Sequence, residues 1–234
     1  MGLRGACTTG LTARSKRSQA SELNSICLLF SEVFAMPQPL PHGKPINFDF
    51  RQDACLERPN LTRYIVAICM SWNEIESRLG IFLAALMGGE AKTIVSVFLA
   101  LRTDGGKKAT LDTVAELKLS PDDLKEFQDI QDEIAKRYKD RNKAVHGAWG
   151  ISPEYPDDLL WYDHRETIAM FPDLMLRLSS SAARTKLLDE QRKSIRVYTE
   201  QDLVDINSRI QTTYKKLETF TARWVGPLFE RMKV

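Results

Sequence analysis

Apolar side chains recur every three or four positions through much of this chain, and this spacing predicts helices that each bury one face. The first helix begins near Asn60, which can cap it, and ends at Gly88-Gly89. Its apolar face consists of eight side chains: Leu61, Ile65, Ile68, Trp72, Ile75, Leu79, Phe82 and Leu86. A helix with one such stripe has to bury it against other helices, so the pattern predicts a helical bundle.

Three further helices are predicted before residue 147. Two short ones cover residues 91–101 and 108–117, and the Gly105-Gly106 pair separates them. A longer one begins at Ser120-Pro121-Asp122-Asp123, which combines a capping serine, a proline suited to the first turn and two acidic residues. Gly147 is predicted to end it. The side chains expected to face inward are Leu124, Phe127, Ile134, Tyr138 and Val145.

The pattern then changes to short apolar runs. Residues 159–162 and 167–171 predict short strands, and Ile195-Arg196-Val197 predicts a partner for them. Thr199-Glu200-Gln201-Asp202 has the spacing of a capping box and opens a final helix. The sequence therefore predicts a mainly α protein, an antiparallel helical bundle with a small β insertion near residues 155–198, before the last long helix.

The start of the chain is expected to lie outside the helical domain, which is predicted to span residues 59–234. Residues 36–58 contain four prolines and predict an extended or disordered lead-in. Residues 1–35 contain several basic side chains and no acidic one before Glu22. Two explanations stay open for them, a targeting segment or a mis-assigned start with Met36 as the true first residue.

The composition is that of an ordinary globular protein, with 43% hydrophobic residues, 27% charged residues and a net charge of +2. So small a net charge argues against wrapping nucleic acid around a broad basic surface, but a small RNA site needs only one or two cations. No apolar run approaches the roughly 18 residues of a membrane span. The four cysteines lack metal-ligand spacing, so we expect reduced thiols, no metal or other cofactor, and a cytoplasmic protein.

The end of the fourth predicted helix carries the candidate chemistry. Arg141 falls within the apolar face, where a guanidinium needs an anion such as the carboxylate of Glu76 or a ligand phosphate. Asn142 and His146 are four residues apart and share a face beside it, and Tyr138 adds a hydroxyl one turn earlier. An imidazole can move the protons of an RNA phosphodiester, while an arginine and an amide stabilise and orient its oxygens, all without a metal.

A purely structural role accounts for the same residues. A histidine in the last turn stabilises the helix dipole, and Arg141 can simply form an ion pair with Glu76 or with a neighbouring helix. The other two histidines, His42 and His164, are expected at the surface. Trp161 is expected in the core of a strand, as is its neighbour Tyr162, rather than stacked on a base.

Residues 140–149, Asp-Arg-Asn-Lys-Ala-Val-His-Gly-Ala-Trp, resemble the signature of the HEPN superfamily: an arginine, a polar residue that is often asparagine, three further residues and a histidine. The helix around Trp72-Asn73-Glu74-Ile75-Glu76 is similar to the first long helix of that family. The likeness covers about residues 60–150 and the last helix. It implies a helical bundle that forms a homodimer, with two Arg/His pairs facing one cleft. It also implies a metal-independent endoribonuclease of toxin–antitoxin, phage-defence or RNA-processing systems, which leaves cyclic phosphate ends.

Carried over residue by residue, the resemblance implies that Arg141 and His146 are catalytic and that Asn142 supports them. Tyr138 and Glu76 are predicted as further supporting residues from their positions. The expected partners are RNA, a second copy of the chain, and an antitoxin or other partner protein. Some members of the family are inactive, so the alternative is a non-catalytic interaction or regulatory module that dimerises through the same helices.

Overall fold

Five helices of ten or more residues account for most of the chain that the structure describes. This computed structural model describes residues 37–41, 46–166, 168, 169, 172 and 190–232. Residues 228–232 are described by their backbone alone. The helices are α1 (Pro59–Met87), α2 (Ala91–Ala100), α3 (Asp104–Lys118), α4 (Pro121–His146) and α5 (Glu200–Met232). The predictions for residues 1–35 and for His42 fall outside the described residues.

One antiparallel sheet of five strands completes the fold. Its strands are β1 (Gln38–Pro39), β2 (Asp49–Phe50), β3 (Gly147–Ser152), β4 (Tyr155–Asp163) and β5 (Arg196–Tyr198). Their order across the sheet is β1-β5-β4-β3-β2, and each neighbouring pair is antiparallel. The prediction of a mainly helical protein with a small sheet before the last long helix is therefore confirmed.

Two helix starts follow from local sequence as predicted. Ser120 precedes α4, and its Oγ accepts a hydrogen bond from the backbone N of Asp123 at 3.2 Å. Thr199 precedes α5 in a reciprocal capping box, because Asp202 N donates to Thr199 Oγ1 at 3.2 Å and Thr199 N donates to Asp202 Oδ2 at 2.9 Å. These bonds satisfy amides that lack a partner within the helix.

Other boundaries differ from the prediction. Helix α1 begins at Pro59, one residue before the expected cap Asn60, because proline is well suited to a first turn. Helix α3 begins at Asp104, so Gly105-Gly106 lies in its first turn rather than between two helices; the Oγ1 of Thr103 accepts a hydrogen bond from Gly106 N at 3.1 Å and caps the helix there. The strand predicted over residues 167–171 is wrong at Ile168 and Ala169, which are helical, and its other residues fall outside the described part.

The core has two parts, one on each face of the sheet. Side chains alternate along β4, so Leu159 and Trp161 join the helical core while Leu160 and Tyr162 join a smaller cluster on the opposite face. Trp161 and Tyr162 are thus core residues, as expected. The helical core is centred on aromatic rings of α1, α4 and α5: Phe82, Phe127, Phe220 and Trp224.

The inner face of α4 shifts at its end. Phe127 and Ile134 are buried as predicted, but Val145 is 39% exposed and its neighbour Ala144 is buried instead. The prediction for Val145 is wrong because the last turn packs against the sheet, where Trp149 Nε1 donates a hydrogen bond to Ala144 O at 3.2 Å. Among the described residues, no helix combines the length and the apolar content needed to cross a membrane.

Candidate functional site

The last turn of α4 is held by the β-hairpin that follows it. Trp161 on β4 donates a hydrogen bond from its Nε1 to Lys143 O at 2.7 Å, and Trp149 on β3 donates to Ala144 O. Carbonyls at the end of a helix lack partners within it, so the two indoles cap α4 from outside. The position of His146, the last helical residue, is fixed by this arrangement.

Gly147 allows the hairpin to approach so closely. A Cβ atom placed on this glycine would lie 1.6 Å from Trp161 Nε1, well inside any permitted contact. Its backbone, with φ of −82°, is one that any residue can adopt. The helix ends at the predicted residue, but the glycine is required by the packing of Trp161 rather than by a left-handed turn.

A groove of about 560 Å³ runs along the end of α4. One wall consists of side chains from one face of α4, at positions that follow each other in steps of one and three residues. Its other wall is formed by the end of β4 and the residues just after it. The lining residues are Tyr138, Lys139, Asn142, Lys143, His146, Trp161, Asp163, His164 and Arg165.

Two imidazoles come together in this groove. In the antiparallel register, Gly147 on β3 is the Cα partner of Asp163 on β4. His146, the last residue of α4, directly precedes Gly147, and His164 directly follows Asp163, so both lie just beyond the last pair of the β3–β4 ladder. Both side chains are exposed. The prediction that His164 lies at the surface is confirmed. Its place in the same groove as His146 follows from the pairing of β3 with β4.

The groove is rich in positive charge. The side chains of Lys139 and Lys143 form no ion pair or hydrogen bond with the described residues, and both are exposed. Arg165 is engaged, because its Nη2 lies 3.1 Å from Asp163 Oδ2 and its backbone N donates to Asp163 Oδ1 at 2.9 Å. The hydrogen bonds from Arg165 hold the pKa of the Asp163 carboxyl below its ordinary value. The groove thus offers two unpaired ammonium groups beside the imidazoles.

Arg141 is only half-buried, and it does not line the groove. Its Nη1 donates a hydrogen bond to Asn142 Oδ1 at 3.0 Å, while its Nε is buried without a hydrogen-bond partner in the described part of the chain. Glu76, one candidate anion for Arg141, is paired elsewhere, because its Oε1 accepts a hydrogen bond from Lys107 Nζ at 2.9 Å. The competing cation, Lys107, lies in the first turn of α3, which the sequence pattern predicts to begin only at residue 108.

The structure therefore brings together three of the five predicted site residues. Tyr138, Asn142 and His146 share the groove, and Arg141 reaches it only through its hydrogen bond to Asn142. His146 follows Arg141 by five positions, about 140° around a helix of 3.6 residues per turn, so their side chains leave α4 in different directions. Glu76 lines a second cavity, on the far side of Tyr138 along α4.

The candidate site offers imidazoles, ammonium groups and an amide. Within the described ranges, no cluster of three or more histidine, cysteine, aspartate or glutamate side chains is arranged to hold a metal ion. Comparison of the chain with models of protein families, with curated proteins and with solved structures gives no significant match.

Proposed function

We propose that this protein is an endoribonuclease that cleaves RNA without a metal ion in the groove at the end of α4. The observation that carries the proposal is the pair His146 and His164, which line one groove just beyond the end of the β3–β4 ladder, beside the unpaired ammonium groups of Lys139 and Lys143. The resemblance of residues 140–149 to the HEPN signature supports the same reaction.

Two imidazoles suffice for the proton transfers of RNA cleavage. One accepts the proton of a ribose 2′-hydroxyl as the 2′-oxygen forms a bond to phosphorus. The bond from phosphorus to the 5′-oxygen breaks, and that oxygen takes a proton from the other imidazole in its protonated form. The products are a 2′,3′-cyclic phosphate and a 5′-hydroxyl. His146 and His164 are the groups assigned to these transfers.

The cations have a separate role. Lys139 and Lys143 are assigned to the phosphates of an unpaired strand, because exposed ammonium groups bind phosphate as point charges. Arg141 remains a predicted catalytic cation, supported by its lack of a carboxylate partner in the described residues and by its hydrogen bond to Asn142. Arginine can neutralise charge that develops on the phosphate in the transition state.

A homodimer is part of the proposal. Arg141 and His146 of one chain point in different directions, so a single cleft that contains both kinds of side chain is more easily built from two chains. The resemblance implies such a dimer and a toxin or defence role with an antitoxin or other partner. Sedimentation of the purified protein measures its oligomeric state directly. A monomer at concentrations that cleave RNA would contradict the homodimer.

The test is cleavage of a short synthetic RNA in the presence of a chelator. We expect His146→Ala and His164→Ala each to reduce the rate by about 10²-fold or more, the usual contribution of a general acid or base. Arg141→Ala should also reduce it, whereas Lys136→Ala, an exposed substitution on α4 outside the groove, should not. Mass spectrometry should find cyclic phosphate ends, and a substrate with a single 2′-deoxyribose should resist cleavage at that position.

Two outcomes would reject the proposal. Cleavage that persists unchanged in both histidine variants identifies a contaminating nuclease. Cleavage of the deoxyribose position shows that the 2′-hydroxyl is not the nucleophile.

A non-catalytic helical interaction module is the second candidate function. One observation favours it: Val66 and Met70, one turn apart on α1, are 52% and 64% exposed, and apolar neighbours on a helix surface are a common feature of helix–helix contacts. This module would show no RNA cleavage in any variant. It would bind a partner through α1, and Met70→Glu would abolish that binding without altering the folded state.

A further inference from the structure

A second cavity, of about 280 Å³, lies among helices α1 to α4. Its size is near the lower end of the ~300–1,000 Å³ that is usual for ligand sites. Three aromatic side chains line it, Trp72, Phe98 and Tyr138, and the first two are buried. Flat apolar walls of this kind suit a small planar ligand.

Gln131 is the unusual residue of this cavity. It lines the cavity and is only 4% exposed, and its Nε2 is buried with no hydrogen-bond partner among the residues that the structure describes. Buried polar groups are almost always paired, and an unpaired one costs about 1–3 kcal/mol. A leucine would fill the same position without that cost. Since the described residues supply no acceptor for this Nε2, it points to an acceptor on a bound ligand.

The charges around the cavity argue against a small anion as that partner. Lys107 is already paired with Glu76, and the Nζ of Lys108 lies 2.6 Å from Asp112 Oδ2. The unpaired Lys139 is exposed and belongs to the part of the lining that the cavity shares with the groove. The buried part of the cavity thus offers an amide and aromatic surface rather than a free cation. An amide presents a donor and an acceptor side by side, and this pair matches the edge of a nucleobase, whose faces can pack on aromatic rings.

The cavity adjoins the groove, because Tyr138 and Lys139 line both. A strand bound along α4 can therefore pass from one to the other. Gln131 and His146 are fifteen positions apart, about 22 Å at the rise of an α-helix. This span corresponds to several nucleotides, since stacked bases of one strand are ~3.4 Å apart. A base at Gln131 would thus not belong to the nucleotide at the groove.

We propose that the cavity is a nucleobase-binding subsite, in which Gln131 recognises the edge of an unpaired base several nucleotides from the bond cut at the groove. The position of that base relative to a cut rests on the proposed ribonuclease. The binding of a base does not, because it can be measured with compounds that have no scissile bond.

The experiment titrates the full chain with adenosine, guanosine, cytidine and uridine by calorimetry. These nucleosides have no phosphate, so the lysines of the groove cannot account for their binding. We expect at least one to bind, and Gln131→Leu to weaken it about tenfold, the effect of losing one hydrogen bond of about 1.4 kcal/mol. The urea midpoint of this variant should equal or exceed that of the wild type. Gln128→Leu, an exposed change on the same helix, should leave binding unaltered.

A blocking variant gives an independent readout. Ala135→Phe, at the exposed edge of the cavity, should abolish nucleoside binding by filling the space while the helix is retained by circular dichroism. If no nucleoside binds the wild type, or if Gln131→Leu binds as well as the wild type, the subsite is rejected, whatever the result with RNA. If binding depends on Gln131 but no variant cleaves RNA, the subsite is supported and the ribonuclease is rejected.

Discussion

The indole of Trp161 lies directly over Gly147, so close that the glycine hydrogen is the only side chain the site accepts. The same indole donates its N–H to Lys143 O in the last turn of α4. One contact between strand and helix therefore determines where α4 ends and where His146 is presented.

Gly147→Ala should be strongly destabilising. The added Cβ would overlap Trp161 Nε1, and displacing the indole breaks its hydrogen bond and its packing, a cost of about 1–3 kcal/mol for an overpacked site. Urea unfolding followed by circular dichroism measures this. Gly105→Ala is the matched control, because a Cβ there meets nothing within 4 Å and alanine favours the helix. Equal midpoints for the two variants would contradict the proposed packing.

Trp161→Phe tests the hydrogen bond separately from the ring. Phenylalanine keeps most of the apolar surface but cannot donate to Lys143 O, so we expect a loss of about 0.5–1.5 kcal/mol in the free energy of unfolding. Hydrogen exchange at the end of α4 should become faster, while exchange in α1 stays as in the wild type. Unchanged protection at the end of α4 would show that the indole does not hold it.

The pH dependence of stability should be altered by Asp158→Asn. Burial, together with the negative charges of Asp157 and Asp202, raises the pKa of the Asp158 carboxyl above its ordinary value of 3.8. The folded chain therefore binds this proton more tightly than the unfolded chain, and the stability contributed by Asp158 falls as pH rises from 3.8 through the raised pKa.

The asparagine variant lacks this loss, so its urea midpoint should exceed that of the wild type at neutral pH. The two midpoints should converge below the ordinary carboxyl pKa, where Asp158 is protonated in both states. Asp132→Asn, an exposed change on α4, should show no such difference. A variant less stable than the wild type at neutral pH would mean that the Asp158 carboxylate stabilises the fold.

Phe82→Ala tests the aromatic centre of the helical core. Phe82 is fully buried, and its ring centroid lies 5.2 Å from that of Phe127 and 5.6 Å from that of Phe220. Its removal should cost about 3–5 kcal/mol, since it leaves a cavity where three helices meet. Leu117→Ala, at a side chain that is 76% exposed, should change stability by no more than ~0.5 kcal/mol. A small effect at Phe82 would contradict the central position of this cluster.

Local signals were sufficient for several features of the fold. The hydroxyl oxygens of Ser120 and Thr199 cap their helices by accepting hydrogen bonds from backbone N–H groups three residues later, so neighbouring sequence contains all that is needed. Strand β3 was not predicted because Gly147 and Gly150 interrupt its apolar pattern. It forms through pairing with β4, which the local pattern does not encode.

The candidate site likewise has some features that local sequence predicts and others that depend on long-range contacts. The shared face of Asn142 and His146 follows from helical spacing, so it could be predicted. The proximity of His164 depends on the register between β3 and β4, and the partner of Glu76 depends on where α3 begins. Both are long-range outcomes, and a single helix pattern could not supply them.

The two outermost strands of the sheet, β1 and β2, both come from the segment before α1. They are two residues long, and β1 contains Pro39, which lacks a backbone donor. Such short ends discourage further strands from adding to the sheet. A chain cut back to residue 59 would leave the backbone of β3 and β5 open to pairing with other molecules, so self-association is the expected fate of the shortened helical domain.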